Sequence, residues 1–177
     1  MNILTYIVII IAVAGAFYYF GAGSNSEQQQ SNEVPATNQT ASENNFDQTT
    51  KSSSSEIDLS GQGLTKVPEY VFSAKGTTVL DVSNNNLDGA LQAEIRHLQN
   101  LKVLDLSDNN FTGVPAEVGQ LARLEILDLS NNPITGLPYE IGNLGNLKVL
   151  DLRGTNYSEQ DLNVIKQSLS ADVEIKI

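Results

Sequence analysis

A short sequence unit recurs along the second half of the chain at an almost constant interval, and this period limits the possible folds more than any other feature. Two neighbouring copies read LKVLDLSDNNFTGVP and LEILDLSNNPITGLP. The central stretch of each copy begins at Ile57, Leu80, Leu104, Leu127 and Leu150, in steps of 23, 24, 23 and 23 residues. A fixed period in this range is typical of a solenoid, in which each unit buries its apolar face only against its neighbours.

Each copy carries apolar residues at fixed positions, followed by an asparagine. In the fourth copy the pattern consists of Leu124, Leu127, Leu129, Asn132 and Ile134. Alternation places the central two leucines on one side of a short strand. The equivalent asparagines are Asn85, Asn109 and Asn132. They stand where the chain leaves the strand, so we expect their side-chain amides to pair with backbone groups of the turn.

The pattern L-x-x-L-x-L-x-x-N-x-L resembles the leucine-rich repeat family, and the resemblance covers five repeats and nearly all of residues 56–177. It implies an α/β leucine-rich repeat solenoid with a parallel β-sheet on its concave face. Pro115 and Pro138 suit the start of short helical turns on the return path. The second copy has one extra residue, from which we expect only a slight irregularity in curvature.

The end of the chain has the pattern of a cap, starting at about residue 157. Ser158 suits a helix N-cap, and Leu162, Ile165 and Leu169 form an apolar face after it. Val173, Ile175 and Ile177 then alternate as in a strand. This resembles the helix-and-strand cap of many bacterial leucine-rich repeat domains, which covers the end of the core. The sequence indicates no cap at the other end.

Two further segments precede the repeats. Residues 1–22 contain 20 consecutive uncharged residues from Ile3 to Ala22, enough for a helix of about 30 Å, the thickness of a bilayer core. We interpret them as a transmembrane helix or signal anchor; a cleaved signal peptide is the alternative, with small residues such as Gly21 and Gly23 for the peptidase. Residues 23–55 are rich in Ser, Asn, Gln and Thr, which predicts a disordered linker.

The predicted location is a membrane, with a single span and the repeat domain outside the cytoplasm. No Lys or Arg precedes Lys51, so charge specifies the orientation only weakly. The chain has no Cys, whereas extracellular eukaryotic members of this family usually have Cys-bearing caps. The sequence is therefore similar to bacterial envelope proteins of the family, and its three N-x-S/T sequons are interpreted as incidental.

The outward positions of the strands form three columns on the concave face, and the resemblance implies protein binding there. The first column is Asp58, Asp81, Asp105, Asp128 and Asp151. The second column is Ser60, Ser83, Ser107, Ser130 and Arg153. The third column is Glu56, Val79, Val103, Ile126 and Val149. The sheet is therefore predicted to show a row of carboxylates beside an aliphatic stripe.

The row of carboxylates suggests a cationic partner. Neighbouring strands lie about 4.8 Å apart, where two carboxylates repel by roughly 1 kcal/mol in water and about 3 kcal/mol at an effective dielectric near 20. A basic peptide or Lys-rich protein surface relieves this repulsion, and calcium is a weaker variant. The alternative is that each Asp is simply a solvated residue of the repeat pattern.

Composition excludes several other functions. There are 21 Asp and Glu against 10 Lys and Arg, which disfavours nucleic acid as a partner. No enzyme motif, cofactor site, metal site or small-molecule substrate is indicated, and the single histidine, His97, is expected to lie on the convex surface. We therefore predict a non-catalytic, membrane-tethered module for protein recognition. A secreted effector or adhesin, or a structural envelope component without a specific ligand, remain the alternatives.

Overall fold

The computed structural model describes residues 55–177, which form a solenoid built around one parallel β-sheet. Its six strands are Ser55–Asp58 (β1), Thr77–Asp81 (β2), Val103–Asp105 (β4), Ile126–Asp128 (β6), Val149–Asp151 (β7) and Glu174–Lys176 (β8). The predicted anchor (1–22) and nearly all of the predicted linker (23–55) lie outside the described residues. Within residues 55–177, no helix has the length and apolar character needed to cross a membrane.

Equivalent residues of successive repeats are direct neighbours in the sheet. Leu80 pairs with Leu104, Leu104 with Leu127 and Leu127 with Leu150, and the aspartates that follow these leucines pair in the same way. The four leucines are fully buried, and each such side chain contributes roughly 2 kcal/mol to folding when removed from water. The predicted parallel sheet and its leucine core are confirmed.

A layer of short 3-10 helices lies on the other side of the core. The helices are Glu69–Ser73, Ala93–His97, Ala116–Gln120 and Tyr139–Asn143. Pro68, Pro115 and Pro138 each occupy the position just before a helix. A backbone N–H there would have no acceptor within the helix, so proline, which has no N–H, costs no hydrogen bond. Gly119 allows two of these helices to stack closely, because a Cβ there would lie 2.2 Å from the backbone oxygen of Glu140.

The predicted asparagine ladder is present in the three central repeats. The amide nitrogen of Asn109 donates to the backbone oxygens of Val82, Leu106 and Ser107 at 3.0 to 3.1 Å, and its oxygen accepts from the N–H of Leu87 at 3.1 Å. Asn85 and Asn132 make equivalent bonds one repeat away. Each asparagine thereby joins two repeats through backbone groups that burial would otherwise leave unpaired.

The second and third repeats form a second, two-stranded parallel sheet that the sequence did not predict. Its strands are Asp88–Ala90 (β3) and Asn110–Gly113 (β5). Gly89, in the middle of β3, has φ +74°, a conformation that L-residues with a side chain rarely adopt. The register between the two strands shifts next to this glycine.

The C-terminal cap agrees with the prediction. Helix α1 (Glu159–Lys166) begins after Ser158, whose hydroxyl accepts a hydrogen bond from the N–H of Asp161 at 3.2 Å. Leu162 and Ile165 are buried against the last repeat. Strand β8 then pairs with β7 and extends the main sheet by one strand.

Candidate functional site

The candidate site is the face of the main sheet that points away from the leucine core, which we call the open sheet face. Because the strand leucines point into the core, the residues on either side of each leucine point the other way. The first and third predicted columns therefore lie on this face, one residue of each in every one of the strands β1, β2, β4, β6 and β7, and the second column follows two residues after each of these strands ends.

The aspartates of the open sheet face have a structural role that the sequence analysis did not recognise. In Asp105, Oδ1 accepts hydrogen bonds from the backbone N–H of Ser107 at 2.9 Å and from its hydroxyl at 2.7 Å. Asp58 with Ser60, and Asp128 with Ser130, repeat both bonds. Each Asp thus fixes the turn at the end of its strand through one carboxylate oxygen. The recurring spacing Asp-x-Ser could have predicted these hydrogen bonds from the sequence.

The central aspartates form no salt bridge within residues 55–177. Burial raises the pKa of Asp105 from 3.8 to about 6, against the lowering effect of the Ser107 hydrogen bonds, and the neighbouring charges of Asp128 and Asp81 raise it further. Burial likewise raises the pKa of Asp128. Among the salt bridges of residues 55–177, none reaches Asp81, Asp105 or Asp128. The charge of Lys176 lowers the pKa of Asp128 in part, so the surface around Asp81 and Asp105 is the anionic part of the open sheet face that lies furthest from a counter-charge.

The C-terminal end of the same column is neutralised. Asp151 is only 1% exposed, and its carboxylate binds the guanidinium of Arg153 at 2.7 Å and lies 3.7 Å from Nζ of Lys176. Burial alone would raise the pKa of Asp151, but the hydrogen bonds from Arg153 and the charges of Arg153 and Lys176 outweigh it and lower the pKa. Asp151 thus differs from the other members of its column.

The predicted aliphatic stripe is narrower than expected. Val79 and Val103 are half-buried, but Ile126 is 8% and Val149 only 3% exposed. The expectation of a continuous exposed stripe is therefore wrong at Ile126 and Val149. Val149 lies between Ile126 and Glu174 in the sheet. Ser107 and Ser130 are also buried, and their hydroxyls donate to Asp105 and Asp128, so they do not present free hydroxyls.

A further column at the edge of the open sheet face was also missed. Its members all have positive φ, between +53° and +68°, and they are Gly61, Asn84, Asp108, Asn131 and Gly154. Only Gly, Asn and Asp occur there, and these residue types tolerate the left-handed conformation best. Every copy of the repeat has Gly, Asn or Asp at this position. This restriction in residue type could have predicted a left-handed backbone conformation between the end of each strand and the position of the ladder asparagine.

The remaining chemistry of the described residues is limited. Residues 55–177 contain no group of three His, Asp or Glu side chains placed to hold a metal ion. His97 is exposed at the end of its 3-10 helix, as predicted. The functional chemistry that the described part of the chain offers is therefore that of a surface with a charge pattern.

Comparison with known proteins agrees with this geometry. The family model described as "Leucine rich repeat" matches residues 55–111 and 99–156. The chain belongs to the leucine-rich repeat family. Among curated proteins, Receptor-like protein 18 of Arabidopsis thaliana is 37% identical over 59 residues, which are 33% of this chain and 7% of that protein.

Solved leucine-rich repeat structures superpose on much of the chain. A leucine-rich repeat protein of Leptospira interrogans has a TM-score of 0.59 and 35% sequence identity over 64% of this chain and 28% of that one. The plant peptide hormone receptor RGFR1, in complex with RGF2, has a TM-score of 0.52 and 32% identity over 62% of this chain and 18% of that one. The chain thus spans only a small part of each of these relatives. They come from plants and from a bacterium, so the bacterial source stays a prediction.

Proposed function

We propose that this leucine-rich repeat domain recognises a protein or peptide through its open sheet face and catalyses no reaction. The family and the similarity to a peptide hormone receptor in complex with RGF2 support protein recognition. The observation that carries the proposal is the row of three neighbouring, half-buried carboxylates, Asp81, Asp105 and Asp128, none of which forms a salt bridge within residues 55–177.

The partner that fits this surface has a basic segment. The row spans two strand separations, about 10 Å, which two or three Lys or Arg side chains of an extended peptide cover. A cation placed there interacts with several carboxylates at once and reduces their mutual repulsion. The free carboxylate oxygen, Oδ2, is the acceptor, because Oδ1 of Asp105 and of Asp128 is already occupied by the following serine.

A selection from a random peptide display library tests this proposal, followed by calorimetric affinities of the selected peptides. We expect the peptides to be enriched in Lys and Arg. The triple variant Asp81→Asn, Asp105→Asn, Asp128→Asn is expected to weaken their binding at least tenfold. The matched control removes the same number of charges from the 3-10 helices, at Glu94, Glu117 and Glu140, and is expected to change affinity less than twofold. Neutral peptides, or an equal loss in both variants, would rule out the open sheet face as the site.

We further propose that residues 1–22 anchor the protein in a membrane, that residues 23–55 form a linker and that the repeat domain of residues 56–177 lies outside the cytoplasm. The uncharged run from Ile3 to Ala22 supports this arrangement. Protease treatment of intact cells, with a blot that reports chain length, tests it. Digestion of a full-length protein from outside is expected. A protected full-length protein would reverse the orientation, and a shortened, released protein would favour the secreted effector.

A further inference from the structure

Within residues 55–177, the last strand of the main sheet, β8, pairs with another strand on one side only. On its paired side, the N–H of Glu174 donates to Lys148 and the carbonyl of Lys176 accepts from the N–H of Leu152, both at 2.8 Å. Backbone groups of successive strand residues point to opposite edges. Ile175, between these two residues, therefore directs its N–H and C=O to the outer edge, where the described part of the chain places no further strand.

The sequence of this strand is complementary to itself in the antiparallel direction. The stretch reads Val-Glu-Ile-Lys-Ile from Val173 to Ile177. If two copies pair about a two-fold axis at Ile175, Glu174 of each copy lies opposite Lys176 of the other. Val173 then lies opposite Ile177, and Ile175 opposite itself. Both charged pairs are of opposite sign and both outer pairs are apolar, which is the arrangement that stabilises antiparallel strands.

Exposed apolar side chains occur at the same end of the solenoid. Ile177 is 69% and Val164 39% exposed, and together they are half of the large hydrophobic residues that are exposed within residues 55–177. Val164 lies on α1, the last helical element, and Ile177 directly follows β8, the last strand. Of these two, Ile177 directly follows β8, so a partner at the β8 edge has an exposed apolar side chain beside it as well as backbone groups to pair with.

The opposite edge of the sheet has no such complementarity. Strand β1 carries Glu56 and Asp58 and no basic residue, so self-pairing there would bring carboxylates together. Like charges directly opposite one another destabilise antiparallel strands, and charged side chains on an edge strand are one way in which natural proteins prevent pairing with another copy. The charges of β8 therefore favour pairing with a second copy of the same strand, whereas the charges of β1 oppose it.

We propose that two copies of this protein associate through β8, pairing antiparallel about Ile175 to form one continuous sheet. Ile175 of each copy donates to and accepts from Ile175 of the other, and Lys176 lies between Asp151 of its own chain and Glu174 of the second copy. The contact is isologous and closes at a dimer. It leaves the open sheet face of both copies accessible, so it does not depend on the proposed ligand.

A single-cysteine cross-link tests the register directly, because the chain contains no cysteine. Residues directly opposite in a hydrogen-bonded antiparallel pair have Cα atoms about 5.5 Å apart, within the range of a disulfide. Ile175→Cys in the full chain, kept in its membrane or in mild detergent, is expected to form a covalent dimer on mild oxidation. Ile177→Cys is the matched control: it lies on a more exposed position, but its counterpart is Val173, so it is expected to remain monomeric. Equal cross-linking of both variants, or of neither, would overturn the proposal.

A charge exchange tests the pairing without relying on cysteine chemistry. We expect E174K, at an exposed position, to raise the dimer dissociation constant at least tenfold by sedimentation equilibrium, because both ion pairs become like-charge contacts. K176E alone is expected to do the same, and an equimolar mixture of the two variants to recover association. E56K, at the equivalent position of the opposite edge, is the control and is expected to leave the constant unchanged. A wild-type chain that stays monomeric at 100 µM would refute the dimer. Association that E174K leaves intact or that E56K weakens would place the contact elsewhere.

Discussion

The central carboxylate of the open sheet face, Asp105, is expected to destabilise the folded protein at neutral pH. Its pKa rises from 3.8 to about 6, and each pKa unit corresponds to about 1.4 kcal/mol. Ionised Asp105 therefore lowers the free energy of unfolding by at most about 3 kcal/mol. Because the folded-state pKa is raised, the protonated form stabilises the fold fully below pH 4, and this contribution is lost as the pH rises through 6.

The substitution Asp105→Asn isolates this effect. The amide oxygen still accepts the two hydrogen bonds from Ser107 that fix the turn, while the charge is removed. Since solvent reaches part of the side chain, we expect the free energy of unfolding at pH 7.5 to rise by about 1 to 3 kcal/mol. The difference from wild type should disappear at pH 4, where Asp105 of the folded wild type is protonated.

Urea denaturation followed by far-ultraviolet circular dichroism at the two pH values measures this difference. Asp58→Asn is the matched control, because Asp58 makes the same two hydrogen bonds with Ser60 but is exposed. Its effect should stay within about 0.5 kcal/mol. The expected destabilisation is refuted if Asp105→Asn does not raise the free energy of unfolding at pH 7.5, or raises it equally at both pH values. Either result would mean that the ionised carboxylate of Asp105 does not destabilise the folded protein.

Three further substitutions test the framework that holds the face. Asn109→Ala leaves buried backbone groups of two repeats unpaired, so the free energy of unfolding measured in urea titrations should fall by about 2 to 5 kcal/mol. Asn110→Ala is the control: because Asn110 is exposed, the free energy of unfolding should change by less than about 0.5 kcal/mol. Gly119→Ala places a Cβ 2.2 Å from a backbone oxygen of the next repeat and should cost about 1 to 3 kcal/mol, while Gly145→Ala, with nothing within 4 Å, should be tolerated in the same assay. Ser158→Ala removes the cap of α1 and should lower thermal stability by the equivalent of about 1 kcal/mol.

The features that repeat with the sequence period were predictable. The strand columns, the ladder at Asn85, Asn109 and Asn132 and the helical turns after the prolines each depend on contacts between equivalent positions of neighbouring repeats. Such contacts follow from the period alone once the strand direction is known. The C-terminal cap was predictable for a different reason, since its N-cap and its apolar spacing are local signals.

The features that depend on one particular neighbour were not predictable. Val149 and Asp151 have the same residue types as their columns, but both are almost fully buried next to β8, and Arg153 and Lys176 neutralise the carboxylate. The second sheet pairs β3 with β5 only in the second and third repeats, with a register shift next to Gly89, and the repeat period does not indicate this pairing. The raised pKa of Asp105 depends on how deeply the side chain is buried, which no alternation pattern states.

The most direct test of recognition through the open sheet face is carbodiimide labelling of carboxylates, read by mass spectrometry with and without a bound peptide from the display selection. If the peptide binds where we propose, labelling of Asp81, Asp105 and Asp128 falls on binding, while that of Glu94 and Glu140 in the 3-10 helices stays the same. Protection of the glutamates with unchanged labelling of the three aspartates would show that the partner binds on the opposite side of the solenoid, and would contradict the proposed function of the sheet.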